Sequence, residues 1–183
     1  CIPRRNWTTG TTYDIYRHDY EEFVTGSTTT RITSNSGATT LFDSTFYVLT
    51  ADRNVYKCLD NNGNSASTVE PTGTGTSIIT TGDSYKWKYM YTLSAAQQAN
   101  FLSTDFMAVA TDSTVAAAAV DGALDTIKIK TAGSSYTVSG GATSGTITAV
   151  PIRGDGSGGV CSVTLTSGAI TAVTVTTAGT GYT

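Results

Sequence analysis

The stretch DSYKWKYMYTL, residues 83–93, decides the fold of the first half of the chain, because its side chains alternate in character with a period of two. One set of alternate positions is aromatic or apolar: Tyr85, Trp87, Tyr89, Tyr91 and Leu93. The other set is mostly polar: Lys86, Lys88, Met90 and Thr92. At roughly 3.3 Å per residue this pattern predicts a β-strand of about 30 Å. We expect the central strand of a first domain, with its aromatic face buried and its lysines much more exposed. The alternative is an aromatic strip that stacks sugars or bases.

Two short β-rich runs precede this strand. FYVLT and VYKCL, which begin at Phe46 and Val55, are joined by the polar residues ADRN, and this pattern predicts a β-hairpin. The next turn is predicted at DNNG, residues 60–63, because an Asn-Gly pair is suited to positive φ. Residues 67–81 contain several Gly and Thr and predict a loop that leads into the aromatic strand.

Signals for helices are confined to short segments. Ser94 and Gln97 have the spacing of a capping box, which predicts a helix over 95–102. Residues 106–109 predict another strand, and the alanine-rich residues 115–120 are interpreted as a connector between domains. Nearer the start, a short helix is predicted over 13–23 and a long loop over 25–40.

The last third of the chain repeats itself. Residues 122–137 align with residues 168–183, and each copy predicts a strand that ends in a glycine turn and a tyrosine. Between the copies, GTITAVPI and GVCSVTLTSG alternate as strands around the glycine-rich turn 154–159. We interpret this part as a small β domain built from a duplicated hairpin unit, whose next strand is expected to lie outside this sequence.

The composition favours strands and tight turns throughout. Only 14% of the 183 residues are charged, and Gly, Thr and Ser are abundant. The sequence therefore predicts a mainly β protein with two β-sandwich-like domains and one or two short helices. The first domain is expected at 1–118, with its helix near 95–102, and the second at 121–183.

The charge and hydropathy of the chain disfavour two classes of partner. A net charge of −3 leaves no basic footprint for nucleic acid. No run of about 18 apolar residues is present to span a membrane. We therefore expect neither a nucleic acid nor a membrane as a partner.

The cysteines indicate neither a disulfide framework nor a zinc site. Cys1, Cys58 and Cys161 are odd in number, widely spaced and form no CxxC pair. Buried or neutral thiols in a reducing compartment are the expectation.

Two motif matches are better explained as turns. Gly154, Gly156 and Gly159 match GxGxxG, but the following residues alternate as a strand, where a dinucleotide site requires a helix. Asp60, Asn62 and Asn64 have the first three ligand offsets of a calcium loop, but the sixth position is serine and the twelfth is proline.

No residue set reaches a catalytic constellation. His18 is the only histidine, and no nucleophile-elbow sequence accompanies it. Asn6, Trp7 and Thr8 form a glycosylation sequon, which matters only in a eukaryotic secretory pathway. The sequence thus nominates no catalytic, cofactor-binding or metal-binding residue, and we expect no enzyme.

Several segments resemble a known family. VYKCLDNN (55–62), STVEPTGT (67–74) and YKWKYMYTLS (85–94), followed by FMAV (106–109), look like the baseplate wedge subunit of T-even-like contractile-tail bacteriophages. The resemblance implies a non-enzymatic structural protein of the virion, with β-sandwich domains and without a cofactor. It also implies a homodimer within each wedge of the tail baseplate, assembled in the host cytoplasm. There the protein would hold neighbouring wedge proteins and take part in the trigger for sheath contraction.

Composition alone leaves a second class of function open. A low-charge β chain rich in Thr, Gly and Ser also suits an extracellular fibre, an adhesin or a carbohydrate-binding module. Under the baseplate interpretation, the loops at 25–40 and 67–81 are expected to be flexible in the isolated protein and to order against neighbours, because long connections are usually functional or mobile.

Overall fold

The computed structural model describes residues 1–17, 22–25, 28–31 and 34–183. The chain divides into two compact units, Cys1–Ala118 and Ala119–Thr183. The described residues are mainly β, with antiparallel sheets and two short helices, which confirms the predicted β-sandwich-like class.

The described strands are β1 Ile2–Pro3, β2 Glu22–Thr25, β3 Thr28–Arg31, β4 Tyr47–Leu49, β5 Asn54–Asp60, β6 Ile79–Thr80, β7 Lys86–Thr92, β8 Phe106–Met107, β9 Gly145–Pro151, β10 Val160–Thr166 and β11 Ala169–Thr177. The two helices are α1 Ala95–Phe101 and α2 Ser113–Ala118.

The main sheet of the first unit has four antiparallel strands in the order β4-β5-β7-β6. The predicted hairpin is confirmed as β4 and β5, and the aromatic strand β7 lies inside the sheet, between β5 and β6. Two smaller pairs, β1 with β8 and β2 with β3, complete the described strands of this unit.

A bulge in β7 corrects the prediction of a single aromatic face. Val55 on β5 faces Tyr91, but the next residue, Tyr56, faces Tyr89, so Met90 is an extra residue on β7. Neighbouring residues on β5 point to opposite faces of the sheet, and their partners on β7 must do the same. Tyr89 and Tyr91 therefore lie on opposite faces, because the period-two expectation assumed an unbroken pleat.

Each face of the sheet carries its own buried cluster. The first cluster consists of Tyr13, Ile15, Val48, Tyr56, Cys58, Tyr85, Trp87 and Tyr89. The second consists of Tyr47, Leu49, Val55, Tyr91, Leu93, Met107 and Ala108. Every predicted aromatic of the strand is thus buried, while Lys86 and Lys88 are half-buried. The prediction of burial is confirmed, and only the sharing of one face is wrong.

The predicted capping box at the start of helix α1 is confirmed. Ser94 Oγ accepts from Gln97 N at 3.2 Å, while the Gln97 side chain accepts from Ser94 N at 2.9 Å.

Residues 115–120, interpreted as a connector, belong in part to helix α2. Asp112 Oδ1 begins this helix by accepting from the backbone N–H of Thr114 and Val115, which lets the helix preference of alanine prevail.

Two predictions for the first 40 residues are wrong where the structure describes them. The helix expected over 13–23 has no helical residue within 13–17, and Glu22–Thr25 is strand β2. The loop expected over 25–40 contains strand β3, whose threonines favour extended backbone.

The connections next to β5 and β7 agree better with the predictions made from the sequence. The turn after β5 has positive φ at Asn62 (48°), Gly63 (65°) and Asn64 (70°), as predicted for DNNG. The loop expected over 67–81 ends in the short edge strand β6, which pairs with β7. The strand expected over 106–109 is shorter, as β8.

In the second unit, β9, β10 and β11 form a three-stranded antiparallel sheet in the order β11-β10-β9. The glycine-rich segment 154–159 joins β9 to β10, so the prediction of a hairpin turn is confirmed. One strand prediction fails, because residues 123–130 in the first repeat copy form no regular strand whereas the equivalent residues of the second copy form β11.

The two repeat copies are nevertheless joined by matching hydrogen bonds. Leu124 N donates to Ala178 O and Ile170 N donates to Ala132 O, both at 3.0 Å. Tyr182 N donates to Gly122 O at 3.1 Å, and Tyr136 N donates to Gly168 O at 3.0 Å. Within each pair of bonds, the two donors align with each other in the repeat, and so do the two acceptors. Exchanging the two copies therefore exchanges the two bonds, which is the relation produced by an approximate two-fold axis. They meet near their ends, which explains why the first copy forms no continuous ladder.

The described helices include none long and apolar enough to cross a membrane. All three cysteines are free: Cys58 and Cys161 are buried and Cys1 is exposed.

Candidate functional site

The residues that the sequence singled out are not assembled into one site. Gly154, Gly156 and Gly159 lie in a hairpin turn of the second unit, and Asn62 and Asn64 lie in a turn of the first. His18 is outside the described residues. Across 1–17, 22–25, 28–31 and 34–183, no three His, Cys, Asp or Glu side chains gather as metal ligands would.

The alternative interpretation of β7, an aromatic strip that stacks sugars or bases, is wrong. Tyr85 and Trp87 are completely buried, and Tyr89 and Tyr91 are 3% and 7% exposed. Sugars and bases stack on open ring faces, and these rings pack on protein instead: Tyr85 is stacked on Trp87 with centroids 5.4 Å apart, and Tyr13 meets Trp87 edge-on at 5.7 Å.

An open pocket of about 450 Å³ lies beside β7 in the first unit. Hydroxyl groups dominate its wall, with one carboxylate, and the lining residues are Thr74, Tyr89, Tyr91, Thr92, Thr111, Asp112 and Thr114. The described residues of the wall include no cationic side chain. Its chemistry suits a neutral, hydroxyl-rich ligand better than an anion.

A chain of hydrogen bonds leads from this pocket into the sheet. The Thr92 hydroxyl donates to Asn54 Oδ1 at 2.5 Å, so it must accept from the Tyr89 hydroxyl, 2.8 Å away. Tyr89 has one hydroxyl proton, and Asp112 Oδ2 lies farther from it, at 3.4 Å. Because Asp112 Oδ1 caps helix α2, Oδ2 is a pocket atom with spare capacity to accept a hydrogen bond, as are the hydroxyls of Thr74, Thr111 and Thr114.

Asp83 anchors the start of the loop at 67–81. Its Oδ2 accepts from Thr68 N at 2.7 Å, Val69 N at 3.0 Å and the Ser67 hydroxyl at 3.1 Å, while Oδ1 accepts from the Thr81 hydroxyl. Burial alone would raise the pKa of Asp83, but these hydrogen bonds outweigh it and lower the pKa to about 2. The loop is therefore fixed to the sheet at its base.

Replacing Asp83 with Asn is expected to change how stability depends on pH. The lowered folded-state pKa means that the contribution of this carboxylate is fully present above about pH 4, the usual pKa of an unfolded Asp, and is lost as the pH falls toward 2. The variant should therefore be less stable at neutral pH but lose less stability between about pH 4 and pH 2. Urea unfolding at several pH values measures this, with exposed Asp52→Asn as the control. An unchanged acid dependence in Asp83→Asn would contradict it.

Asp14 organises a second polar centre, almost completely buried at 1% exposure. Its carboxylate accepts from Thr45 N at 2.8 Å, Ser36 N at 3.0 Å and the Ser44 hydroxyl at 3.2 Å. Burial opposes ionisation, yet these and further hydrogen bonds from the Ser36 and Thr45 hydroxyls lower the pKa of Asp14. The donors all serve to hold loop segments in place, which is a structural role.

The corner between α1 and β8, residues 101–106, presents two aromatic rings to solvent. Phe101 and Phe106 are each 53% exposed. Hydrogen bonds link the two ends of the corner: Ser103 N donates to Phe106 O at 2.9 Å, and Phe106 N donates to the Ser103 hydroxyl at 3.0 Å. Arg4 fixes it from outside, because its N–H donates to Asp105 O at 2.7 Å and its guanidinium donates to Ser103 O at 2.8 Å. We call this segment the apolar corner.

Sequence reasoning missed both the pocket and the apolar corner. The pocket draws its polar atoms from residues such as Thr74, Thr92 and Asp112, which are too far apart in the chain to form a motif. The corner had a usable signal, since two phenylalanines flank a polar turn directly after a capped helix, but exposure cannot be read from residue type alone.

Comparison of the chain with protein-family models, with curated proteins and with solved structures finds no match.

Proposed function

We propose that this chain is a structural subunit of a contractile-tail baseplate wedge that works by being held between neighbouring proteins, without catalytic turnover. The resemblance of residues 55–62, 67–74 and 85–94 to that family supports the proposal. In the fold these segments are β5, the anchored loop and β7, which are adjacent. The proposal includes a homodimer within each wedge, a place in the tail baseplate of the virion, and a part in the trigger for sheath contraction.

The observation that carries the proposal is the apolar corner. Large aromatic side chains are the usual anchors of protein interfaces, and most of the binding energy comes from a few such residues. The corner holds Phe101 and Phe106 on a backbone fixed by hydrogen bonds to Arg4 and Ser103, so little conformational entropy is lost when a partner covers the rings. A contact of this kind suits permanent assembly.

Replacing both rings of the apolar corner should block incorporation into assembled wedges. In Phe101→Ser with Phe106→Ser, we expect at least about a tenfold loss of the chain from purified complexes, because two interface anchors are removed. The fold should persist, since each ring is more than half exposed. The measurement is the amount of this chain per particle after coexpression with the neighbouring tail proteins.

Phe42→Ser is the matched control, because Phe42 is an exposed aromatic residue (74%) of the same unit outside the corner. It should incorporate as the unaltered chain does. Full incorporation of the double variant, or an equal loss with Phe42→Ser, would remove the corner as the contact. An image of a tail baseplate that lacks this chain would overturn the assignment itself.

The second candidate is a carbohydrate-binding module, and the hydroxyl-lined pocket is the observation that favours it. Asp112 Oδ2 offers an acceptor to a sugar hydroxyl, but the Tyr89 and Thr92 hydroxyls are already hydrogen-bonded to each other, and the two described aromatic residues of the wall, Tyr89 and Tyr91, have buried rings. The pocket therefore offers less binding chemistry than the corner. Saturable binding of neutral oligosaccharides, lost in Asp112→Asn, would favour this candidate over the first.

A further inference from the structure

The two repeat copies of the second unit end in the same local structure. Gly133 and Gly179 have φ of 66° and 67°, and two residues later Ser135 and Gly181 have φ of 65° and 71°. In each copy the tyrosine three residues after the glycine lies against it: a Cβ added at Gly133 would be 2.4 Å from Tyr136 Cε2, and one added at Gly179 would be 2.7 Å from Tyr182 Cε2. The copies thus present equivalent tyrosines.

Tyr182 is covered by the glycine-rich turn between β9 and β10. Its hydroxyl donates to Ile152 O at 3.0 Å and accepts from Gly159 N at 3.1 Å. The turn approaches so closely that a Cβ added at Gly156 would be 2.5 Å from Tyr182 Cγ, and one added at Gly159 would be 2.6 Å from the hydroxyl oxygen. Only glycine fits at both positions beneath the ring.

Tyr136 has no such cover. It is 48% exposed, and within the described parts of the chain its hydroxyl makes no hydrogen bond. Its backbone is as firmly held as that of Tyr182, by the equivalent bond from its N–H to Gly168 O. The ring therefore has the local setting of Tyr182, while its outer face and its hydroxyl are open.

We propose that Tyr136 is a docking point for a glycine-rich β-turn of another protein chain, held as Tyr182 holds residues 154–159. The approximate two-fold axis indicates what would bind there. The glycine-rich turn 154–159 covers Tyr182 in the second copy, and Tyr136 in the first copy lacks an equivalent turn. The partner would need glycines at the spacing of Gly156 and Gly159, a backbone carbonyl to accept from the phenol, and a backbone N–H to donate to it. A second copy of this chain does not fit, because its own turn is already occupied by its own Tyr182.

This site would exist under either candidate function, so its test is separate from theirs. The probe is a disulfide-closed peptide that carries residues 150–160, titrated into the isotope-labelled full chain and followed by amide NMR. We expect saturable shifts at Gly133 and Tyr136, with a Kd on the order of 1 mM, since a single ring provides the contact. The matched control peptide carries alanine in place of both Gly156 and Gly159, and it should bind at least about tenfold more weakly.

Two variants of the chain make the result decisive. Tyr136→Ala should weaken binding of the glycine peptide at least about tenfold, and Tyr136→Phe, which keeps the ring and the fold, should weaken it by a smaller factor through loss of the hydroxyl. The amide spectra report whether each variant is folded. Absence of saturable shifts at Gly133 and Tyr136, equal binding of the alanine peptide, or unchanged binding by Tyr136→Phe and Tyr136→Ala would each overturn the proposal.

Discussion

Trp87→Ala should lower the free energy of unfolding of the first unit by about 3 to 5 kcal/mol, as truncation of a large buried aromatic residue does. The indole is completely buried, stacked on Tyr85 and in edge contact with Tyr13. Its removal would leave a cavity at the centre of the first cluster that the interior of a β-sheet cannot close. Urea unfolding followed by tryptophan fluorescence measures the loss, because Trp7 remains as a probe in the same unit.

Trp87→Phe separates packing from hydrogen bonding at this position. The buried indole N–H has no hydrogen-bond partner among the residues that the structure describes, so phenylalanine gives up volume but none of the described hydrogen bonds. We expect a loss of about 1 to 2 kcal/mol, well below that of alanine. Equal losses for the two variants, or a loss below about 1 kcal/mol for Trp87→Ala, would show that the ring is not a main support of the core.

Gly179→Ala should destabilise the second unit by about 2 to 5 kcal/mol, through unfavourable positive φ and overpacking together. The residue has φ of 67°, and an added Cβ would lie 2.6 Å from Gly159 N and from Ser157 O. Both neighbours are backbone atoms, which cannot swing aside as a side chain can. The amide signals of β10 and β11 during urea unfolding report this loss, because both tryptophans lie in the first unit.

Two other glycines provide graded controls. Gly140 also has positive φ (87°) but open space around it, so Gly140→Ala should cost only the backbone term of about 1 to 2 kcal/mol. At Gly133 an added Cβ meets the Tyr136 ring, which can move, so Gly133→Ala should fall between the two. If Gly140→Ala were as harmful as Gly179→Ala, the close approach of the backbone would have no role.

The main sheet could be predicted from the sequence because its signals are local. Strand β7, the hairpin of β4 and β5, and the Asn-Gly turn are each predicted from a few adjacent residues, and all three are present. The bulge at Met90 could not be predicted, because no glycine or proline marks it. It arises from how β5 and β7 pair, which is a property of two distant segments.

The repeat shows the same limit within one alignment. The alignment predicts equivalent glycine turns before Tyr136 and Tyr182, and their φ values agree, because turn geometry depends on the residues themselves. The strand pattern of the first copy failed, because a strand also needs a partner along its whole length. The pocket and the apolar corner escaped prediction for a related reason, since both depend on which side chains the finished fold leaves uncovered.

The bulge at Met90 has a consequence for how the first unit unfolds. One strand supplies Trp87 and Tyr89 to the cluster on one face of the sheet and Tyr91 to the cluster on the other. Neither cluster can lose its aromatic residues from β7 while β7 stays paired in its native register. A shift of β7 by one residue would misplace the aromatic residues of both clusters. The two clusters are therefore thermodynamically linked into a single cooperative element, so a perturbation on either surface is transmitted through one polypeptide segment to the other.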